Sequence, residues 1–238
     1  MLYLISDIHG NLRDFIKILK KIDFSKEKDK MIIMGDILDR GPDGIRLLEY
    51  IKPYLGTSME LLMGNHELFA IMYLKGELDK RTWTAFGGGD TVKDIDKMTL
   101  DKKNQLLEFL EGLSYYSEIN SKYYGNIIVT HTGVDCENYE HNQDKTINVK
   151  KSIEKAIQNN RYNYMIGMDL HQIPASDKRK FDKYLIVGHV PVCRLNYDMS
   201  YKFYRTDFYM DIDSGSGNKD QGGMLGCYCV TTDEEIYI

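Results

Sequence analysis

The sequence predicts an α/β fold: one domain over residues 1–238, with a mostly parallel sheet from its N-terminal half and a more antiparallel sheet from its C-terminal half. Three observations lead there. Residues 1–75 alternate short apolar runs with helical patterns in the order β-α-β-α-β-α, which implies parallel strands joined by right-handed crossovers. The later residues hold a hairpin pattern and several more short apolar runs. Polar clusters stand directly after the strands, where ligand sites of open α/β sheets lie.

Residues 1–6 read as the first strand, and Asn11 as the cap of a helix reaching Ile22. Leu12, Phe15, Ile16, Leu19 and Ile22 give that helix its apolar face. Met31–Gly35 is the second strand, short, bounded and rich in branched residues. Pro42 and Asp43 open a helix with the stripe Ile45, Leu48 and Ile51, ended by Pro53 and Gly56. Met59–Met63 is the third strand, and Asn65 caps the helix after it. Residues 77–113 read as helical around a loop at Trp83–Thr91, with Leu106, Leu107, Leu110 and Leu113 on one face. Tyr115–Ile119 and Tyr123–Thr130 form a hairpin about Asn120-Ser121-Lys122. A loop at 136–147 precedes a helix near Val149–Asn159, and 160–183 carry no clear pattern. Tyr184–Val187, Phe208–Ile212 and Met224–Val230 are strands, with Ile236–Ile238 at an edge.

Composition narrows the function classes. Hydrophobic residues at 42% and charged residues at 28% support a packed core. A net charge of -5 provides no broad basic footprint for nucleic acid. Cys136, Cys193, Cys227 and Cys229 lack a C-x-x-C spacing and read as free thiols of a reducing compartment. The N-terminus reads as a strand and not a signal peptide, and no run approaches the ~20 apolar residues of a membrane span. A soluble, cytoplasmic protein without membrane partners is expected. Nothing in the pattern signals an oligomeric state.

Five clusters sit directly after predicted strands: Asp7-Ile8-His9-Gly10, Gly35-Asp36-Ile37-Leu38-Asp39-Arg40-Gly41, Gly64-Asn65-His66-Glu67, His131-Thr132-Gly133 and Gly188-His189-Val190-Pro191. The first three recur at intervals of about 30 residues, one β-α-β step each. Singly, each has a plain alternative as a helix cap, a turn acid or a core histidine. Jointly, five in register after strands make a constellation. Carboxylate, imidazole and amide donors without thiolate suit manganese, iron or zinc. Two such ions about 3.5–4 Å apart clamp the attacking and leaving oxygens of a phosphoryl displacement. Asp36 has two oxygens to share between ions, Asp39 can orient an imidazole, and Arg40 offers a planar fork for phosphate.

These clusters resemble the calcineurin-like metallophosphoesterase superfamily, and within it the bacterial and phage branch of the phosphoprotein phosphatases, which also holds diadenosine tetraphosphate hydrolase-like enzymes. The match runs from Asp7 to about Gly215; Gly-Asp-x-x-Asp-Arg-Gly with Gly-Asn-His-Glu carries most of its specificity. Trp83…Gly87-Gly88…Thr91 and Ile212-Asp213-Ser214-Gly215 are similar to two further stretches of that branch. The resemblance implies a four-layer α/β/β/α sandwich of two mixed sheets. It implies two divalent ions, manganese first, with iron or zinc as alternatives. Asp7, His9 and Asp36 would hold the first, and Asp36, Asn65, His131 and His189 the second. A metal-bridging water or hydroxide would attack in line. His66, held by Asp39, would protonate the leaving oxygen, and Arg40, Asn65 and His66 would meet the phosphate.

The substrate expected first is phosphoserine or phosphothreonine in a protein, with a dinucleoside polyphosphate as the alternative. A non-catalytic scaffold is a remote third, since every ligand position is filled. Pro191 in Gly-His-Val-Pro supplies no ligand and argues against the nuclease-like branches. The branch usually places a second phosphate-binding arginine where this chain has Tyr164-Met165-Ile166-Gly167-Met168. Arg161, Arg179 and Arg194 are the candidates to replace it, against the ordinary reading of each as a solvated charge.

Overall fold

The computed structural model describes residues 1–167 and 170–238; Met168, the last residue of the arginine-lacking segment, lies outside them. The strands are β1 (Leu2–Ile5), β2 (Lys30–Ile33), β3 (Met59–Leu61), β4 (Tyr116–Ser121), β5 (Gly125–Thr130), β6 (Tyr184–Val187), β7 (Tyr204–Arg205), β8 (Tyr209–Asp211), β9 (Gly226–Cys229) and β10 (Glu234–Tyr237). The helices are α1 (Leu12–Lys21), α2 (Gly44–Ile51), α3 (Asn65–Leu74), α4 (Lys80–Trp83), α5 (Gly89–Asp96), α6 (Leu100–Glu111), α7 (Val149–Gly167) and α8 (Ala175–Lys178).

Two five-stranded sheets result, in the orders β10-β9-β1-β2-β3 and β4-β5-β6-β8-β7. Both are mixed. In the first, β1, β2 and β3 are parallel and β9 and β10 antiparallel. In the second, β5, β6 and β8 are parallel between the antiparallel edges β4 and β7. The C-terminal strands are the more often antiparallel ones, as expected, but they do not keep to one sheet. The last two strands join the first sheet, where Tyr3, Leu4 and Ile5 pair with Cys229, Tyr228 and Cys227. The centre of the second sheet is parallel because its strands are joined by crossovers and not by hairpins.

Strand alternation creates the layers. Leu4, Ile32, Met34 and Leu62 share a buried cluster with Ile127, Val129, Ile186 and Met210 of the other sheet. The opposite faces, Ile5 and Ile33 or Leu185 and Val187, pack among helical residues that include Phe15, Ile18 and Leu48 of α1 and α2 and Ile153 of α7. Helices therefore cover the outer faces and apolar side chains fill the space between the sheets. The parallel cores β1-β2-β3 and β5-β6-β8 end in loops that meet at one rim. Backbone bonds join those loops past the strand ends: His9 N donates to Asp36 O at 2.8 Å, Gly10 N to Ile37 O at 2.8 Å, Gly188 N to His131 O at 3.0 Å and Val192 N to Asp213 O at 2.9 Å.

Local details differ from the expectations. Asn11 holds the cap position of α1 but makes no cap bond; its amide donates to the carbonyls of Ile8, His9 and Ser216 and ties the first loop to the last. Gly64, not Asn65, is the N-cap of α3. Lys122–Tyr124 form the hairpin turn, with Asn120 and Ser121 inside β4. The helix after 149 runs on to Gly167 through a break at Asn160. No described helix is long and apolar enough to cross a membrane. All four cysteines are free.

Candidate active site

The first loop after β1 places Asp7 and His9 in the rim, both with left-handed backbone at φ 51° and 50°. Asp7 splits its carboxylate between two tasks. Oδ2 accepts from Ser6 Oγ at 2.5 Å and from His189 N at 3.0 Å, while buried Oδ1 has no hydrogen-bond partner among the described residues. His9 donates from Nδ1 to the Leu38 carbonyl at 2.9 Å, which leaves its buried Nε2 unpartnered and 3.8 Å from Asp7 Oδ1. A backbone acceptor on one ring nitrogen fixes the tautomer with a lone pair on the other.

Asp36, on the loop after β2, is the centre. Its Oδ2 lies 3.7 Å from His9 Nε2, 3.8 Å from His66 Nε2 and 3.4 Å from His131 Nε2, while Oδ1 accepts from His66 N at 2.9 Å. Two triplets of donor atoms close to within 4.8 Å, His9–Asp36–His66 and Asp36–His131–His189, and both contain Asp36. Asn65 Oδ1 lies 2.9 Å from His131 Nε2 and 2.8 Å from His189 Nδ1, so the amide joins the second group. His131 is oriented by Nδ1 on the Met34 carbonyl at 2.8 Å.

These residues fit a pair of cations. Two buried donor atoms aim into the space without a partner, and every donor is an oxygen or an imidazole nitrogen. The electrostatics agree. Burial disfavours a charged His131, but Asp36 outweighs it and pushes the imidazole up to about 10. Burial likewise works against the Asp36 anion, and His131 and His66 hold its carboxyl well below the usual range. A cation bound there would take over from the protonated imidazoles as the partner of the Asp36 carboxylate.

His66, second residue of α3, hydrogen-bonds through Nδ1 to Asp39 Oδ2 at 2.7 Å. The same Asp39 oxygen accepts from the Trp83 indole at 2.6 Å, and Asp39 N donates to Thr91 Oγ1 at 3.1 Å. Burial disfavours the His66 cation, but Asp36 and Asp39 prevail and raise its pKa. Arg40 Nη2 reaches to 3.4 Å from His66 Nε2, and Arg40 N donates to Gly87 O at 2.8 Å. Trp83 is thus buried against the acid that holds His66 instead of lining an open loop.

All nine residues singled out in the sequence lie on this rim. Three others, named in the sequence without a settled role, join them. Glu67 is fully buried and accepts backbone N–H bonds from Asp36, Ile37, Leu38 and Gly64 at 2.6, 3.0, 3.2 and 3.0 Å. Burial and the Asp36 charge push its carboxyl up to about 7. Asp213 is buried near Asp7, with Oδ1 on Gly215 N at 2.8 Å and Oδ2 unpartnered. Arg194 lines a cleft of about 400 Å³ beside the rim, together with Arg40, His189 and Asn218. Arg161 instead packs on the Tyr162 ring. Glu67 was legible as the acid three residues after Gly64, the third position of a capping box. Asp213 stood in the expected strand-end turn, and Arg194 was one of the three arginines named as candidates, with no spacing to choose it over the others.

Comparison with known proteins gives a consistent picture. The family model for the calcineurin-like phosphoesterases matches residues 2–205. A symmetrical bis(5'-nucleosyl)-tetraphosphatase of Shewanella sp. (strain W3-18-1) is 30% identical over 132 residues, 56% of this chain and 44% of the relative. One from Hamiltonella defensa is 27% identical over 176 residues, 73% and 58% of the two chains. The chain spans about half the length of the curated relatives it matches. A protein serine/threonine phosphatase from Saccharomyces cerevisiae has the same fold at TM-score 0.65 and 17% identity, over 100% of this chain and 78% of the other. A cold-active protein-tyrosine phosphatase of Shewanella sp. has it at TM-score 0.61 and 18% identity, over 99% and 76%.

Proposed function

The chain belongs to the calcineurin-like phosphoesterase family, and we propose that it is a metal-dependent hydrolase splitting a dinucleoside tetraphosphate into two nucleoside diphosphates. The observation that carries the phosphoester reading is the pair of arginines in one cleft, and the choice of a dinucleotide follows the curated relatives. Arg40 and Arg194 line it beside His189. Two guanidinium forks in one cleft can hold several phosphoryl oxygens at once. The names of the curated relatives support the same reading. The protein phosphoserine or phosphothreonine substrate expected from sequence has behind it only a likeness of fold.

In this reading Asp7, His9 and Asp36 would hold one divalent ion and Asp36, Asn65, His131 and His189 a second; bound there, the ions would supply an activated water and neutralise phosphate charge. Asp39 fixes the His66 imidazole through Nδ1, which leaves Nε2 facing Asp36 and Arg40, where a phosphate would bind. When the central P–O bond breaks, His66 gives its proton to the departing oxygen as a general acid. Arg40, adjacent to His66 Nε2, binds the phosphoryl oxygens and stabilises the charge that grows on them. Buried Trp83 and Thr91 keep Asp39 from turning away.

Purified, metal-loaded protein offered diadenosine tetraphosphate and a phosphoserine peptide tests this. The expected result is a kcat/KM at least about tenfold higher for the nucleotide, a difference of about 1.4 kcal/mol in barrier. ADP should be the sole nucleotide product. A preference for the peptide, or release of AMP and ATP, would sink the proposal.

A further inference from the structure

Phe86 is half exposed, at 51%, on the rim of the site. Scattered exposed apolar residues are ordinary on protein surfaces, but this one is mounted. Its ring stacks on Phe69, with centroids 5.2 Å apart and planes 18° from parallel. Phe69 is buried and in turn meets His66 edge-on at 5.4 Å. The backbone holds the ring in place: Phe86 precedes Gly87, whose φ of 99° turns its carbonyl onto Arg40 N. One face of Phe86 is therefore covered by Phe69, and the ring keeps half its surface in solvent. It stands two ring contacts from the imidazole proposed as general acid.

The chemistry of that acid says which part of a substrate lies there. His66 delivers its proton to the departing oxygen, so the departing group occupies the His66 side of the phosphorus. The Phe69–Phe86 pair continues outward on that side. We infer that Phe86 is a stacking platform for the nucleobase of the departing nucleotide, an inference that rests on the substrate proposed above. A flat aromatic face accepts any base, so the contact adds affinity without selecting among bases. Stacking is present in ground and transition state alike and belongs in KM more than in kcat.

The test compares wild type, Phe86→Ala and Phe86→Trp, each metal-loaded. Stacking on an aromatic side chain corresponds to about 5–100-fold in affinity per base. Phe86→Ala should raise KM for diadenosine tetraphosphate by that order, and lower the ratio of its kcat/KM to that for inorganic tripolyphosphate. Phe86→Trp should restore both. Calorimetric titration with ADP and with pyrophosphate reads the same preference without turnover, and the ADP-to-pyrophosphate affinity ratio should fall in Phe86→Ala. Unchanged ratios in both experiments would overturn the inference. A larger loss on a phosphopeptide than on the dinucleotide would overturn it too, by giving the ring to a peptide side chain. Should wild type prefer the peptide, the substrate proposal falls, and the ADP-to-pyrophosphate ratio still decides whether Phe86 holds a base.

Discussion

Asp7, His9, Asp36, Asp39, Arg40 and His189 all adopt left-handed backbone, with φ from 50° to 77°. Non-glycine residues seldom do, and such strain gathers where a structure must aim side chains at one point. The six lie in three loops around Asp36, so the strain and the donor atoms coincide. Replacing His66 by Asn should cut turnover by about 10²–10⁴ while leaving bound metal near normal. The loss should shrink on substrates with good leaving groups, and an equal loss on all of them would count against proton donation. Asp36→Asn acts differently, because Asp36 lies between His9 and His131 and belongs to both proposed ligand sets. Elemental analysis should find both metals depleted; full occupancy would contradict the sharing.

Between single residues and the whole chain, two elements brace the rim. The first is the start of α3, where Glu67 gathers four backbone N–H groups from two loops. Loss of the carboxyl would leave buried N–H groups unpaired, at about 1–3 kcal/mol each and not fully additive. Glu67→Ala should therefore cost about 3–5 kcal/mol in denaturant unfolding, and a loss below about 1 kcal/mol would show the loops to be self-supporting. The second is the α4–α5 segment, whose Trp83 donates to Asp39. A Cβ on Gly88 would come within 2.4 Å of the Trp83 ring, which is why glycine stands there. Trp83→Phe keeps an aromatic core but removes the indole donor. Its activity should fall most where His66 matters most, on poor leaving groups, and a leaving-group-independent loss would mean mispacking instead.

Across the whole molecule, the two sheets are also tied by charge. Arg205 of β7 reaches Asp233 and Glu235 of the other sheet's β9–β10 hairpin at 2.7 Å each, and the Tyr124 hydroxyl at 2.8 Å. Tyr228 OH donates to the same Asp233 oxygen at 2.7 Å. Burial opposes the Asp233 anion, but Arg205 and Tyr228 overcome it and lower its pKa. A carboxyl whose pKa is lower in the folded state stabilises the fold above its unfolded value of about 3.9 and loses that contribution as pH falls through the folded pKa. Asp233→Asn should thus be less stable than wild type at pH 7, with the gap closing below about pH 4. Parallel denaturation curves at both pH values, with a constant gap, would rule the linkage out.

How much of this was legible before folding depends on range. The β-α-β steps, most strand and helix positions and the nine residues of the rim are written in local periodicity and in the polar residues placed after each apolar run, so the chain determined them alone. Glycine and asparagine were legible as turn residues, but Ser216 as a partner of Asn11 and His131 as a partner of Asn65 both lie more than 60 positions away. β7 has two residues, too few for any alternation to register. The membership of β9 and β10 in the first sheet, the reach of Glu67 across two loops and the entry of Arg194 into the cleft depend on contacts between distant segments. Such contacts leave no spacing in the sequence, because packing of the two sheets chooses them only after the local elements exist. The sequence by itself thus determined which residues could serve a phosphoester site; the tertiary structure decided what holds them still and what else stands beside them.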